Sequence, residues 1–182
     1  MFKPETIFPA TDKPAQKVLT ALLALVALSL PFKFLVNVFI LLAVVLWFVN
    51  NPFRSLFTKN KFTWVLLAIL LFYFLHMFSF LYTSNIQETF TGLETKVSLV
   101  IFPLIFYTGK YTWPQMKFFV KCFVLGCLAC CFLCLGRASY LTLTGTENHF
   151  FYESLSWFQH PSYLSMYLTF CCVALLQKNI FT

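Results

Sequence analysis

The stretch Val18–Val49 reads VLTALLALVALSLPFKFLVNVFILLAVVLWFV, 32 residues that are almost continuously apolar and broken chiefly at Pro31-Phe32-Lys33 and Asn37. As one helix it would be about 48 Å long at about 1.5 Å per residue, well beyond a hydrocarbon core of roughly 30 Å. A tight turn at Pro31–Lys33 divides it into two short membrane spans instead. Charge agrees with that reading. Lys13 and Lys17 precede the hairpin, Arg54, Lys59 and Lys61 follow it, and two crossings return both groups to one side.

The composition around this hairpin points the same way. Of 182 residues, 60% are hydrophobic, 20% aromatic and 10% charged, with 25 Phe against 6 acidic residues. A soluble domain is about 45–50% apolar and about 25% charged. The sequence therefore excludes a soluble globular domain, a disordered chain and a secreted disulfide scaffold. The net charge of +7 lies in gaps between apolar runs, without the basic stripe interleaved with aromatics that would stack bases, so nucleic acid is not an expected partner. At about 20 residues per span the chain holds at most roughly six or seven crossings. The expectation is an all-α, polytopic integral membrane helix bundle with about six transmembrane helices.

Residues 1–17 carry three prolines and mixed charge and read as an irregular cytoplasmic arm. Val18–Leu30 could pass for a signal peptide ending at Ala27-x-Ser29, but Pro4, Pro9, Pro14, Glu5, Asp12 and the immediate second apolar run argue against cleavage. Residues 18–182 are expected to form one transmembrane domain, with spans at about 18–30, 34–49, 62–82, 97–107, 118–135 and 162–176. The fourth is short and carries Pro103, which predicts a kink. The sizeable loops are Thr83–Lys96 and residues 136–161. With the N-terminus inside, the inner segments hold Lys3, Lys13, Lys17, Arg54, Lys59, Lys61, Lys110, Lys117, Lys121 and Lys178, and the outer ones only Lys33, Lys96 and Arg137. That ten-to-three bias, with Glu88, Glu94, Glu147 and Glu153 outside, predicts both ends in the cytoplasm. No internal repeat or low-complexity tract is present.

Three constellations could carry chemistry. Cys127, Cys130, Cys131 and Cys134 share one helix face at i, i+3, i+4 and i+7. They lie mid-span without His or carboxylate companions, so packing by small, soft side chains is favoured over a metal, a cluster or a disulfide. His76, in the outer half of the third span near Tyr73, Ser79 and Thr83, is an intramembrane ionisable residue and so a functional candidate. A hydrogen bond to a neighbouring helix is the simpler account of it, and His149 reads as solvated in the tip TGTENH. The third constellation is on the outer face. Lys96, with Glu94 beside it, stands where the fourth span enters the membrane, and Arg137 caps the outer end of the fifth. Phe151, Leu155 and Phe158, at helical spacing beside Trp157, predict an interfacial helix over Phe150–Phe158. That helix delivers Gln159-His160-Pro161 to the head of the sixth span.

Two readings of the outer residues stay open on spacing alone. In one, Lys96 and Arg137 are snorkelling anchors and His160-Pro161 is a helix-start signal. In the other, Lys96, Arg137 and His160 are three cation-capable groups suited to the oxygens of a diphosphate.

The stretches GLETKVSLVIFPLIFY (Gly92–Tyr107) and SWFQHPSYLSMYL (Ser156–Leu168) resemble the first half of O-antigen ligase and O-antigen polymerase-like membrane proteins, especially those with a His-Pro-x-Tyr element. The resemblance covers most of the chain. It implies a glycosyltransferase of the bacterial inner membrane working at the periplasmic face. Such an enzyme moves a glycan from an undecaprenyl diphosphate carrier to lipid A core or to a growing polysaccharide, with no metal and no cofactor. Lys96, Arg137 and His160 are then the substrate-binding residues. Members of the family have further spans and a large catalytic outer loop in their second half. This chain is accordingly expected to correspond to the N-terminal half, to carry no catalytic base, and to be inactive alone. The competing classes are half of a lipid or polysaccharide transporter, which would be expected to show charged groups near the midplane, and a non-catalytic membrane subunit or scaffold.

Overall fold

The computed structural model describes residues 7–9, 14–50, 64–78, 86–109, 111–145 and 150–177. The rest of the N-terminal arm, Thr83–Asn85, His149 and Lys178–Thr182 lie outside these, as do Arg54, Lys59, Lys61 and Lys110. The described residues form helices and the turns between them, with no strand among them. In chain order the helices are α1 (Pro14–Ser29), α2 (Lys33–Asn50), α3 (Trp64–Phe78), α4 (Ile86–Gly109), α5 (Trp113–Thr144), α6 (Tyr152–Leu155) and α7 (Pro161–Leu176).

Only α5, among the described residues, is long and apolar enough to cross a membrane by length and composition. Five shorter apolar helical stretches accompany it: Pro14–Ser29, Leu35–Asn50, Leu66–Phe78, Lys96–Gly109 and Pro161–Leu176.

The expected break at Pro31–Lys33 is present. α1 closes with Ser29 Oγ donating to the Val26 carbonyl (3.1 Å), and the Phe32 amide donates to the Ser29 carbonyl (2.8 Å) across the turn. α1 begins at Pro14, four residues before the apolar run, because a proline fits the first turn, where its missing N–H is not needed.

Three boundaries differ from the sequence reading. Thr83–Lys96 is not a loop throughout, since α4 starts at Ile86 and runs on through Pro103. The sequence Asn85-Ile86-Gln87-Glu88 is a helix-start pattern that the polar composition of the stretch disguises. α5 does not end at Leu135 but continues to Thr144, so Arg137 lies within the helix and does not cap it. Nothing in Ala138–Thr144 breaks a helix, and the stop comes where the Gly145 amide donates to the Leu141 carbonyl (2.8 Å). Phe150–Phe158 is not an interfacial helix. Only Tyr152–Leu155 is helical, because Ser154 Oγ and Ser156 Oγ turn back onto the carbonyls of Phe151 (2.7 Å) and Tyr152 (3.3 Å).

The chain divides into two compact units, Met1–Leu46 with Thr112–Thr182, and Trp47–Tyr111. In the first, α1 lies along α5 and runs in the same direction. Gln115 Nε2 donates to the Ile7 carbonyl (3.0 Å) near one end, and the Cys130 thiol faces the Pro31 carbonyl (3.9 Å) at the other. Between them Gly126 lets the α5 backbone meet the backbone of Leu28 directly. The buried face of α5 carries Phe119, Phe123, Cys127, Cys130, Cys134 and Ala138, and it packs on α1 and α7 through Ala27, Leu30, Cys171 and Ala174. Small residues are what allow helices to approach closely where lipid supplies no hydrophobic drive. The opposite face of α5 shows Leu125, Leu128, Phe132 and Leu135, with Phe132 74% exposed. In the second unit α3 packs on α4. There the Trp47 indole N–H donates to Thr108 Oγ1 (2.7 Å), whose hydroxyl donates in turn to the Leu104 carbonyl (2.8 Å).

Candidate functional site

α7 starts at Pro161, and a proline drives the residue before it out of the helical region. His160 accordingly sits at φ −59°, ψ 139°, as the N-cap of α7. Its Nδ1 accepts from the Ser162 amide (3.4 Å) and lies 3.1 Å from Ser162 Oγ. Its carbonyl accepts from the amides of Tyr163 (3.0 Å) and Leu164 (3.3 Å). The ring stands edge-to-face with Tyr152 (6.4 Å) and Tyr163 (6.5 Å).

The segment leading to His160 is clamped at several points. Tyr152 has φ 47°, a conformation uncommon for a bulky residue, and this reversal brings its ring toward His160. Arg137 Nη1 donates to the Ser154 carbonyl (3.1 Å), and its guanidinium lies 4.9 Å from the centre of the Trp157 ring. Gln159 Nε2 donates to the Leu30 carbonyl (3.4 Å), and Phe158 meets Phe32 edge-to-face at 5.1 Å. The α1–α2 turn and the far part of α5 thus hold one short segment between them.

Above that frame lies a cavity of about 450 Å³ lined by Glu153, Ser156, Trp157, Phe158, Gln159, His160, Pro161 and Tyr163. Small-molecule sites run from about 300 to 1,000 Å³ and combine apolar walls with a few placed polar groups. Further along α7, an apolar groove of about 380 Å³ is lined by Leu30, Phe123, Met166, Tyr167 and Phe170. Tyr163, Met166, Tyr167 and Phe170 follow i, i+3, i+4, i+7 spacing, so one face of α7 serves both hollows. Phe123 floors the groove through edge-to-face contacts with Tyr167 (5.5 Å) and Phe170 (5.6 Å).

Of the three residues singled out from the sequence, Arg137 and His160 belong to the same compact unit and meet the same segment. Arg137 does not line the cavity. It braces the segment that does. Lys96 is half-buried in α4, at the start of that helix's apolar stretch and in the other unit.

His76 is held locally, with Nδ1 3.1 Å from the Phe72 carbonyl and its ring 4.5 Å from that of Phe72. Two cavity features were missed in the sequence. Ser162 as the partner of His160 was readable, since a hydroxyl two residues after a cap position is in reach of it. The backbone reversal at Tyr152 left no signal. Comparison with known protein families, curated proteins and solved structures finds no match for this chain.

Proposed function

We propose that this chain is a six-span protein of the bacterial inner membrane, with a cytoplasmic N-terminus, that takes part in the transfer of lipid-linked glycans. Its outer-face cavity receives the phosphorylated head of an undecaprenyl diphosphate carrier, whose glycan passes to lipid A core or to a growing polysaccharide. The observation that carries this reading is the meeting of Arg137 and His160 on one clamped segment, at the polar end of the long apolar helix α5.

Two further features support it. Lys121 and Arg137 bracket a charge-free stretch of α5, and sixteen residues of helix span about 24 Å, close to a hydrocarbon core of roughly 30 Å once both side chains snorkel. Arg137 therefore stands at the membrane boundary, with the cavity at its level. The apolar groove on the same face of α7 suits a ligand with a polar head and a long hydrocarbon chain.

When a glycosyl–phosphate bond breaks, negative charge grows on the departing diphosphate. Hydrogen-bond donors aimed at that charge stabilise the transition state more than the ground state. His160 faces the cavity and can fill that role directly, whereas Arg137 acts through the segment it holds. Lys96 is the third basic residue that the topology assigns to the outer side.

Photocrosslinking tests the reading. Membranes carrying the full chain are irradiated with a photoreactive polyprenyl diphosphate and the labelled peptides are mapped. Labelling within residues 150–170, competed by unlabelled polyprenyl diphosphate but not by phospholipid, is expected. Labelling that phospholipid competes equally well, or that falls only elsewhere, would contradict it.

A further inference from the structure

The first turn of α7 has no spare backbone donor to offer. Pro161 has no N–H, the Ser162 amide is given to His160 Nδ1, and the amides of Tyr163 and Leu164 go to the His160 carbonyl. An amide N–H can only donate, so Nδ1 must be the acceptor and cannot carry the ring proton. In a neutral imidazole the proton is then on Nε2, because the bond made by one ring nitrogen fixes the state of the other. Among the described residues no partner occupies Nε2, and the ring lines the cavity.

We infer that His160 works as a neutral hydrogen-bond donor, with the α7 cap fixing its tautomer so that Nε2–H points a proton at a phosphate oxygen of the ligand. Ser162 is the positioning residue for this arrangement. The role differs from that of the cation expected from the sequence, because protonating Nδ1 would remove the acceptor on which the cap depends. It also differs from that of a general base, because the only lone pair on the ring is already engaged. The inference rests on the proposed carrier site for the identity of the ligand, but not for the tautomer.

The test has two arms, both on the full chain in lipid nanodiscs. The first reads the histidine ring nitrogens by NMR with ¹⁵N-histidine under mildly alkaline conditions, with His160 assigned by its loss in His160→Gln. The chain holds 3 histidines, so assignment is direct. An Nε2–H signature, retained in Ser162→Ala because the backbone amide that donates to Nδ1 remains, supports the inference. An Nδ1–H signature overturns it whatever the ligand turns out to be.

The second arm measures binding of farnesyl diphosphate, with inorganic diphosphate alongside to separate a lipid headgroup from a free anion. Asn is a strong N-cap and Gln is not, while Gln reaches to the place of Nε2 and Asn stops at that of Nδ1. His160→Asn should keep the helix start and lose about tenfold to a hundredfold in affinity, as for a hydrogen bond to a charged group. His160→Gln should retain most of the affinity with a looser helix start. Unchanged binding by His160→Asn would reduce His160 to a cap. No binding by the wild type would overturn the carrier reading and the ligand named here, while the tautomer signature would still decide the state of the ring.

Discussion

Replacing Gly126 by alanine adds one methyl group where α5 touches α1. An ideal Cβ there falls inside contact distance of the Leu28 carbonyl oxygen, 2.9 Å from its carbon and 3.2 Å from its Cα. All three are backbone atoms of a helix and cannot rotate aside, so α1 must back away and loosen the packing of Ala27 and Leu30 on Phe123, Val124 and Cys127. Overpacking of this kind typically costs about 1–3 kcal/mol. Against it stands the helix-propensity gain of replacing glycine, about 0.8–1.0 kcal/mol. The net expectation is a loss of roughly 1–2 kcal/mol, or a few degrees in Tm at about 2–4 °C per kcal/mol. Gly136 provides the control, because nothing lies within 4 Å of the Cβ it would acquire. Gly136→Ala should be neutral or stabilising by up to about 1 kcal/mol. Thermal unfolding of both variants in detergent, followed by size-exclusion of the folded fraction, reads the difference. If Gly126→Ala were as stable as Gly136→Ala, the close approach of α1 and α5 would be refuted.

Three further outcomes follow from the packing and the site. Replacing Cys127, Cys130, Cys131 and Cys134 together by Ala should leave the protein in the membrane and monodisperse in detergent. Cys130→Leu should not, because the Cys130 thiol already faces the Pro31 carbonyl at 3.9 Å and added atoms have no room. Arg137→Gln in a chain whose only tryptophan is Trp157 should raise acrylamide quenching of Trp157, since it removes a cation–π contact of about 0.5–1 kcal/mol and the Ser154 anchor. Burial pushes the Tyr111 phenol well above its ordinary range. Its folded-state value lies above the unfolded one, so its share of stability is present below the ordinary phenol range and is lost as pH rises through the folded value. Ultraviolet titration of the 8 tyrosines should therefore show a late-ionising phase, and Tyr111→Phe should reduce its amplitude.

The helical class and the break between α1 and α2 were legible because apolar runs and a lone Pro-Phe-Lys break are strong, local signals. Helix ends were less so. α4 begins inside a stretch rich in Thr, Glu and Gln, and composition there spoke for loop while the Asn85–Glu88 start pattern spoke for helix. At the end of α5, Arg137 suggested the end of a span, whereas the helix runs on to Thr144. A charged residue does not by itself end a helix, and α5 stops only at the Gly145 cap.

The site was legible in part. His160-Pro161 was readable as a helix start, and His160 as the N-cap of α7 bears this out. The clamp that gives the cavity its shape was not readable. Gln159 reaches Leu30 across 129 positions of sequence, and Phe158 reaches Phe32 over a comparable distance. Pairings between such distant positions depend on how α1 lies on α5, which no local pattern encodes. Arg137 was expected to hold ligand. Its guanidinium makes a hydrogen bond to the Ser154 carbonyl and a ring contact with Trp157.

Everything proposed for the cavity depends on which side of the membrane it faces. Reporter fusions ending at Asn60, Gln115 and Asn148 decide this most directly. The six-span arrangement predicts cytoplasmic signal at Asn60 and Gln115 and periplasmic signal at Asn148. A periplasmic reporter at Gln115, or a cytoplasmic one at Asn148, would put His160 and its cavity on the wrong face and contradict the account.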